Sequence, residues 1–205
     1  MTKADSEDLH GNVPDASGAA LLLVDVINDF EFPQNENLLR EAPRLQKALR
    51  RLKEHCRRAG IPTIYVNDNH GKWRSDYNAV VRWATRVDSP GRAFVQALTP
   101  ELDDYIVLKP KHSAFFGTPL QAILEHLGAK SLIVAGVTAN ACVLLSVGDA
   151  YVQGYRILVP QDCVAALTPE AHDEALHLME QSFGADTRAA NGLDFEELSG
   201  TKKAA

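Results

Sequence analysis

Cysteine is scarce in this 205-residue chain: Cys56, Cys142 and Cys163 are the whole set, an odd number with no CxxC and no Cys/His pairing. That pattern excludes a disulfide framework and a thiolate zinc site, and it fits reduced thiols in a cytoplasmic protein. Long apolar runs are missing as well. The opening segment MTKADSEDLHGNVPDASG has no apolar signal core, and no stretch approaches the roughly 18 continuous apolar residues of a membrane span. Neither secretion nor membrane insertion is expected. Basic charge is in deficit: the net charge is −6 and the Lys and Arg residues are scattered, which leaves no electrostatic footprint for nucleic acid. No internal repeat or linker divides the chain. A Gly-rich phosphate turn is also absent after the first apolar run, which leads into DVINDF, and this counts against a dinucleotide-binding oxidoreductase.

What is present is enough for one α/β domain. At 45% hydrophobic, a chain of this length buries roughly 70% of its unfolded surface without cross-links. After a polar arm, residues 1–18, expected to be mobile, Ala19–Val24 is a continuous apolar run of the kind buried on both faces of a parallel sheet. Leu45, Leu49, Leu52 and Cys56 recur at helical spacing, with Pro43 near the expected helix start and Gly60 past its end. Further strands are read at Ile61–Asn67, Tyr105–Leu108, Ser131–Ala135 and Tyr155–Val159. Helices are read near Arg92–Leu98, at Leu120–Leu127, from about Asn140 to Gln153, and after Thr168-Pro169. An apolar-polar stretch lies around Ala79–Ala84. Alternation of this kind implies right-handed βαβ crossovers, hence a three-layer α/β/α sandwich with a mostly parallel, Rossmann-like sheet. Residues 19–188 form the domain, and 189–205 read as a largely disordered tail because the apolar period fades.

In such sheets, sites form at the carboxyl ends of strands. Three strands end in groups with chemical potential: Asp25 after LLLV, Lys109 after YIVL, and Cys142 just beyond SLIVAGV at the start of a helix. Singly, each has a bland reading. A charge after a strand is most often solvated or caps a helix, and a buried free cysteine usually packs as a small hydrophobe. The coincidence carries the argument, because a carboxylate to take a thiol proton, and an ammonium and helix N-terminus to favour thiolate, are what nucleophilic catalysis uses.

The segments VDVINDF (24–30), VLKPKHSAFFGT (107–118) and VAGVTANACV (134–143) resemble, in order and spacing, the signature segments of the isochorismatase-like cysteine hydrolases. That superfamily includes nicotinamidases and N-carbamoylsarcosine amidases. The resemblance spans about residues 19–187. It implies that Asp25 is a general base, Lys109 a positioning and polarising partner, and Cys142 the nucleophile. It further implies a cis peptide between Val137 and Thr138, and an oxyanion hole formed by the amides of Thr138 and Cys142. The expected activity is hydrolysis of a small amide, ureide or carbamoyl C–N bond through a thioester, with no cofactor. Two alternatives stand beside it: an isochorismatase-type enol ether hydrolase, against which the cysteine counts, and a catalytically idle binding module of the same fold. The expected partners are a small-molecule substrate and further copies of the chain in a homo-oligomer.

Other candidates divide more evenly. Asp68-x-His70 resembles the start of the nicotinamidase metal motif, but no histidine follows until His112. Two ligands hold zinc poorly, so no metal is expected and a hydrogen-bonding role is preferred. Trp73, Arg74 and Tyr77, on the loop after the second strand, offer a stacking face, a cation and a hydroxyl to a substrate, with packing as the competing reading. Phe115 and Phe116 are candidate walls of the crevice, one of them with a core role. Trp83 reads as packing. His112 is a candidate Cys-His partner for Cys142 that needs a tertiary approach, with Asp25 preferred as base. Cys56 and Cys163 read as structural, and Asp162 as a brace for its turn.

Overall fold

A computed structural model describes residues 16–69 and 76–200 of the chain. The strands are β1 (Ala19–Val24), β2 (Thr63–Asp68), β3 (Tyr105–Lys109), β4 (Ser131–Val137), β5 (Arg156–Leu158) and β6 (Val164–Ala165). They form one sheet in the order β3-β2-β1-β4-β5, with β6 pairing the end of β4. Every pairing is parallel. The chain builds outward from β1 through β2 to β3, then crosses back to lay β4 on the other side of β1. The point where strand order reverses therefore falls between β1 and β4, where open α/β sheets form their crevices.

β1 shows why the apolar run is continuous. Ala19, Leu21 and Leu23 enter one core cluster, while Ala20, Leu22 and Val24 enter the other. A strand buried on both faces needs apolar residues at odd and even positions alike. Each buried leucine contributes about 1.5–3 kcal/mol. On the first face, α1 (Glu36–Arg58) lays down Leu38, Leu45, Leu49, Leu52 and Cys56, beside α2 (Tyr77–Ala84) and α3 (Arg92–Gln96). The second face is covered by α4 (Leu120–Leu127), α5 (Leu144–Val152) and α6 (Pro169–Phe183). These are the three layers.

Two expectations about boundaries need correction, and one stretch left unassigned gains an element. The first helix begins at Glu36, not near Pro43, which lies inside it. Proline there forfeits one helical hydrogen bond, and burial of Leu38 on the same stripe offsets the loss. The 79–84 stretch is helix α2, opened by Asp76, whose carboxylate accepts from the Ala79 amide at 2.8 Å.

The second correction concerns the tail after Arg188, which is ordered structure through Gly200. Ala190 donates to Asp162 Oδ1 at 2.8 Å, giving Asp162 the bracing role, and Asp194 caps the short helix α7 (Phe195–Ser199). Phe195 stacks on His55 with ring centroids 5.3 Å apart, and Leu198 is buried. The Gly18 amide donates to the Ser199 carbonyl at 3.0 Å. Contacts made one at a time with distant elements, and not a periodic apolar stripe, hold this segment.

Candidate active site

Asp25 stands at the first residue beyond β1. Its amide still donates to Val66 O at 2.9 Å, but its φ of 50° turns the chain out of the strand. A left-handed backbone is sparsely populated away from glycine, though aspartate tolerates it better than most residues. Asn67, buried in β2, fixes the exit by accepting from the Ile27 amide at 3.1 Å and donating to the Ile27 carbonyl at 2.8 Å. Farther along the segment, Asp29 accepts from Trp83 Nε1 at 2.8 Å and from Arg86 at 3.4 Å. Gly91 lets the segment lie close, because a Cβ there would sit 2.0 Å from Asn28 O.

Lys109 ends β3 opposite Asp68 of β2. Its side chain is fully buried and reaches past β2 to Asp25, with Nζ 2.9 Å from Asp25 Oδ2 and 3.7 Å from Asp68 Oδ2. Nζ also donates to Lys111 O at 3.2 Å. Burial opposes the ammonium charge, but the Asp25 carboxylate, then Cys142 and Asp68, more than compensate and hold its pKa above the usual lysine value. The other carboxylate oxygen of Asp25 accepts the Asp68 amide at 2.8 Å. Paired and hydrogen-bonded in this way, a buried charge is tolerated.

Cys142 arrives from the opposite side. β4 ends at Val137, the Val137–Thr138 peptide is cis, and a π turn (Ala139–Val143) leads into α5. The Thr138 carbonyl accepts the amides of Ala141 at 3.1 Å and Val143 at 3.2 Å, closing the wide turn that carries the cysteine. β4 can lie this close to β1 because residue 136 is glycine: its φ is 123°, and a Cβ would stand 2.0 Å from Val24 O.

Cys142 Sγ lies 3.6 Å from Lys109 Nζ and 3.5 Å from His112 Nδ1. Burial, then the charge and hydrogen bond of Asp25, push the thiol up to about 12 against the opposing pull of Lys109. The surroundings therefore favour the thiol over the thiolate at Cys142 and the ammonium over the free amine at Lys109. A carboxylate beside a protonated sulfur can take its proton during attack, without a standing thiolate.

The residues read from the sequence as a catalytic set thus meet at one place, and His112 makes the tertiary approach it needed. Other candidates fall elsewhere. Tyr77 packs into the core beside Tyr65, its hydroxyl buried without a hydrogen-bond partner, so it is not a crevice residue; burial and then the Asp104 carboxylate raise its phenol above the ordinary range. Phe115 packs on the second core face toward Tyr155, ring centroids 6.2 Å apart, and Phe116 is exposed. Trp83 is 56% exposed and lies under Arg86, 4.3 Å from its ring centroid, so it anchors the 25–31 segment from the surface instead of filling core. His70, Trp73 and Arg74 lie outside the described residues.

Sequence reasoning missed the supports. Ser146 accepts from the Ala114 amide at 2.9 Å and donates to Cys142 O at 2.6 Å, while Ser113 bonds to Asp149. The available signal was the spacing of Ser146 and Asp149, four and seven residues after Cys142 on the same helical face. Asn67 was equally visible as a polar residue at a strand end.

A parallel α/β sheet with a thiol, a carboxylate and an ammonium converging at its switch point defines a class, and comparison with known proteins gives the family. The isochorismatase domain model matches residues 19–191, and the chain belongs to that family. An uncharacterized isochorismatase family protein, YaaI of Bacillus subtilis, is 38% identical over 161 residues, 78% of this chain and 88% of YaaI. Nicotinamidase 3 of Arabidopsis thaliana is 30% identical over 178 residues, 83% of this chain and 84% of that protein. Among solved structures, N-carbamoylsarcosine amidase of Thermoplasma acidophilum superposes with a TM-score of 0.65 at 28% identity, covering 86% of this chain and 98% of that one. Amidases thus stand among the relatives of this hydrolase family. No helix among the described residues is long and apolar enough to cross a membrane.

Proposed function

We propose that the chain is a cysteine hydrolase that cleaves the C–N bond of a small amide, ureide or carbamoyl compound through a thioester on Cys142. One observation carries this reading: the buried Lys109 ammonium stands between the Asp25 carboxylate, at 2.9 Å, and the Cys142 sulfur, at 3.6 Å. In this scheme Asp25 removes the thiol proton as sulfur attacks the carbonyl carbon. Lys109 stabilises the charge pair that results, and the amides of Thr138 and Cys142 receive the oxyanion. Asp25 then gives its proton to the departing amine or ammonia, and water hydrolyses the thioester. Kinship with a nicotinamidase and an N-carbamoylsarcosine amidase supports the substrate class.

The test is a panel of small amides, ureides and carbamoyl compounds assayed for ammonia release, with Cys142→Ala as the blank. Release by the wild type alone supports the proposal. A panel without release, together with a Cys142 that electrophiles modify no faster than Cys56 or Cys163, makes the protein an idle module of the same fold.

A further inference from the structure

Cys142 has a neighbour that the scheme above does not use. His112 lies on the segment after β3, is exposed, and places Nδ1 3.5 Å from the Cys142 sulfur. Its position is built. Ser113 is bonded to Asp149 of α5, and the Ala114 amide donates at 2.9 Å to Ser146, which in turn donates at 2.6 Å to Cys142 O. Lys111 O on its other side accepts from Lys109 Nζ at 3.2 Å. The loop carrying His112 is thereby moored at one end to the helix carrying the nucleophile and at the other to the buried ammonium.

The two basic groups beside the sulfur differ in what they can reach. Asp25 is only 6% exposed, with one oxygen against Lys109 at 2.9 Å and the other taken by the Asp68 amide at 2.8 Å. It is placed to exchange a proton with the sulfur from within. Water that attacks a thioester enters from solvent, the side on which His112 lies. Among the described residues, the charged and titratable groups around the imidazole are Cys142, Lys109, Lys111 and, deeper, Asp25 and Asp68, with Asp149 bonded to Ser113. Histidine is the group among them whose unperturbed proton exchange falls near neutral pH.

We infer that His112 is the catalytic base of the second half-reaction, the hydrolysis of the Cys142 thioester; this rests on the cysteine hydrolase reading above. Nδ1 takes a proton from the attacking water as the water oxygen bonds to the acyl carbon. Collapse of the tetrahedral intermediate breaks the C–S bond, and the electron pair goes to sulfur. The imidazolium returns its proton to that sulfur. A thioester and water thus become a carboxylic acid and the free thiol, with no further reactant.

p-Nitrophenyl acetate separates the two half-reactions, because its phenolate departs without needing a proton. The experiment compares wild type and His112→Gln, with Cys142→Ala as the background. The readouts are the initial burst of nitrophenolate, the steady rate that follows, and the mass of the Cys142 peptide after acid quench. The inference expects His112→Gln to keep its burst, accumulate acetyl-Cys142, and lose steady turnover by on the order of 10²-fold. Wild-type deacylation should slow as pH is lowered, and the variant should lack that acid limb, which a merely structural role would not remove. Equal steady rates and equal pH profiles in the two proteins overturn the role of His112 alone. A wild type never acylated at Cys142 overturns the cysteine hydrolase reading and this inference with it.

Discussion

Cys142 and the pair Cys56 and Cys163 are the same side chain in two regions of one molecule. Cys56 lies on the buried stripe of α1 and Cys163 in the turn before β6, both fully enclosed in the first core layer. Burial pushes both thiols far above the ordinary cysteine range; for Cys163 the neighbouring Asp162 adds to it. Cys142 is half-buried, and its thiol is also raised, to about 12. Acidity therefore does not distinguish the regions. What does is company: beside Cys142 stand the Asp25 side chain, an ammonium at 3.6 Å and an imidazole at 3.5 Å on the open side. In the proposed mechanism the thiol becomes a nucleophile through its neighbours, not through a depressed pKa.

The sharpest way to break this comparison is to remove the sulfur. Cys142→Ala should lower turnover by on the order of 10⁴-fold or more, as loss of a covalent nucleophile does. Circular dichroism and the melting temperature should stay near wild type. Cys142→Ser should also be nearly inactive, since a hydroxyl ionises far less readily than a thiol.

Next in size are the neighbours. Asp25→Asn and Lys109→Met should each depress turnover by about 10²–10⁴-fold, and neither should add much to the loss in Cys142→Ala, because groups that act as one unit are non-additive. Lys109→Met should also destabilise the fold by about 3 kcal/mol in denaturant titration, since it strands the buried Asp25 charge.

The two variants should part in their thiol titrations, followed by thiolate ultraviolet absorbance. Asp25 carries negative charge that disfavours thiolate, so Asn should bring the Cys142 pKa down from about 12, even as turnover is lost. Lys109 favours thiolate, so its removal should move that pKa up. Parallel shifts in both variants would break the assignment of opposite roles.

Smaller effects belong to the other region. Cys56→Ala and Cys163→Ala should cost about 1–2 kcal/mol each through lost packing, with kcat/KM unchanged. Exhaustive chelation should have the least effect of all. The Asp68 carboxylate lies 3.7 Å from Lys109, a neighbour that serves an ion pair better than a metal, so turnover should persist in treated protein.

The layered fold was legible because its signal is local. Apolar runs that stop at Asp25 and Lys109, Thr-Pro helix starts and a glycine after α4 mark each element without reference to the others. The convergence of Asp25, Lys109 and Cys142 was legible for a related reason: parallel topology sends every strand end to one edge. Tyr77 failed this logic, since loop membership says nothing about whether a ring turns to solvent, to substrate or into the core. The supports through Ser146, Asp149 and Asn67 depend on distances between segments that sequence does not display. The segment after Arg188 was misread because it is held by single contacts, such as Ala190 to Asp162 and Gly18 to Ser199.

Of the three thiols, Cys142 alone should form a covalent intermediate. Acid quench during turnover of an amide found by the ammonia-release panel, followed by peptide mapping with mass spectrometry, tests it directly. The prediction is an acyl group on the Cys142 peptide, present at early times and gone when substrate is exhausted, with the Cys56 and Cys163 peptides unmodified throughout. Steady turnover with no acyl group on Cys142 at any time, under conditions in which His112→Gln slows product formation, would contradict the claim.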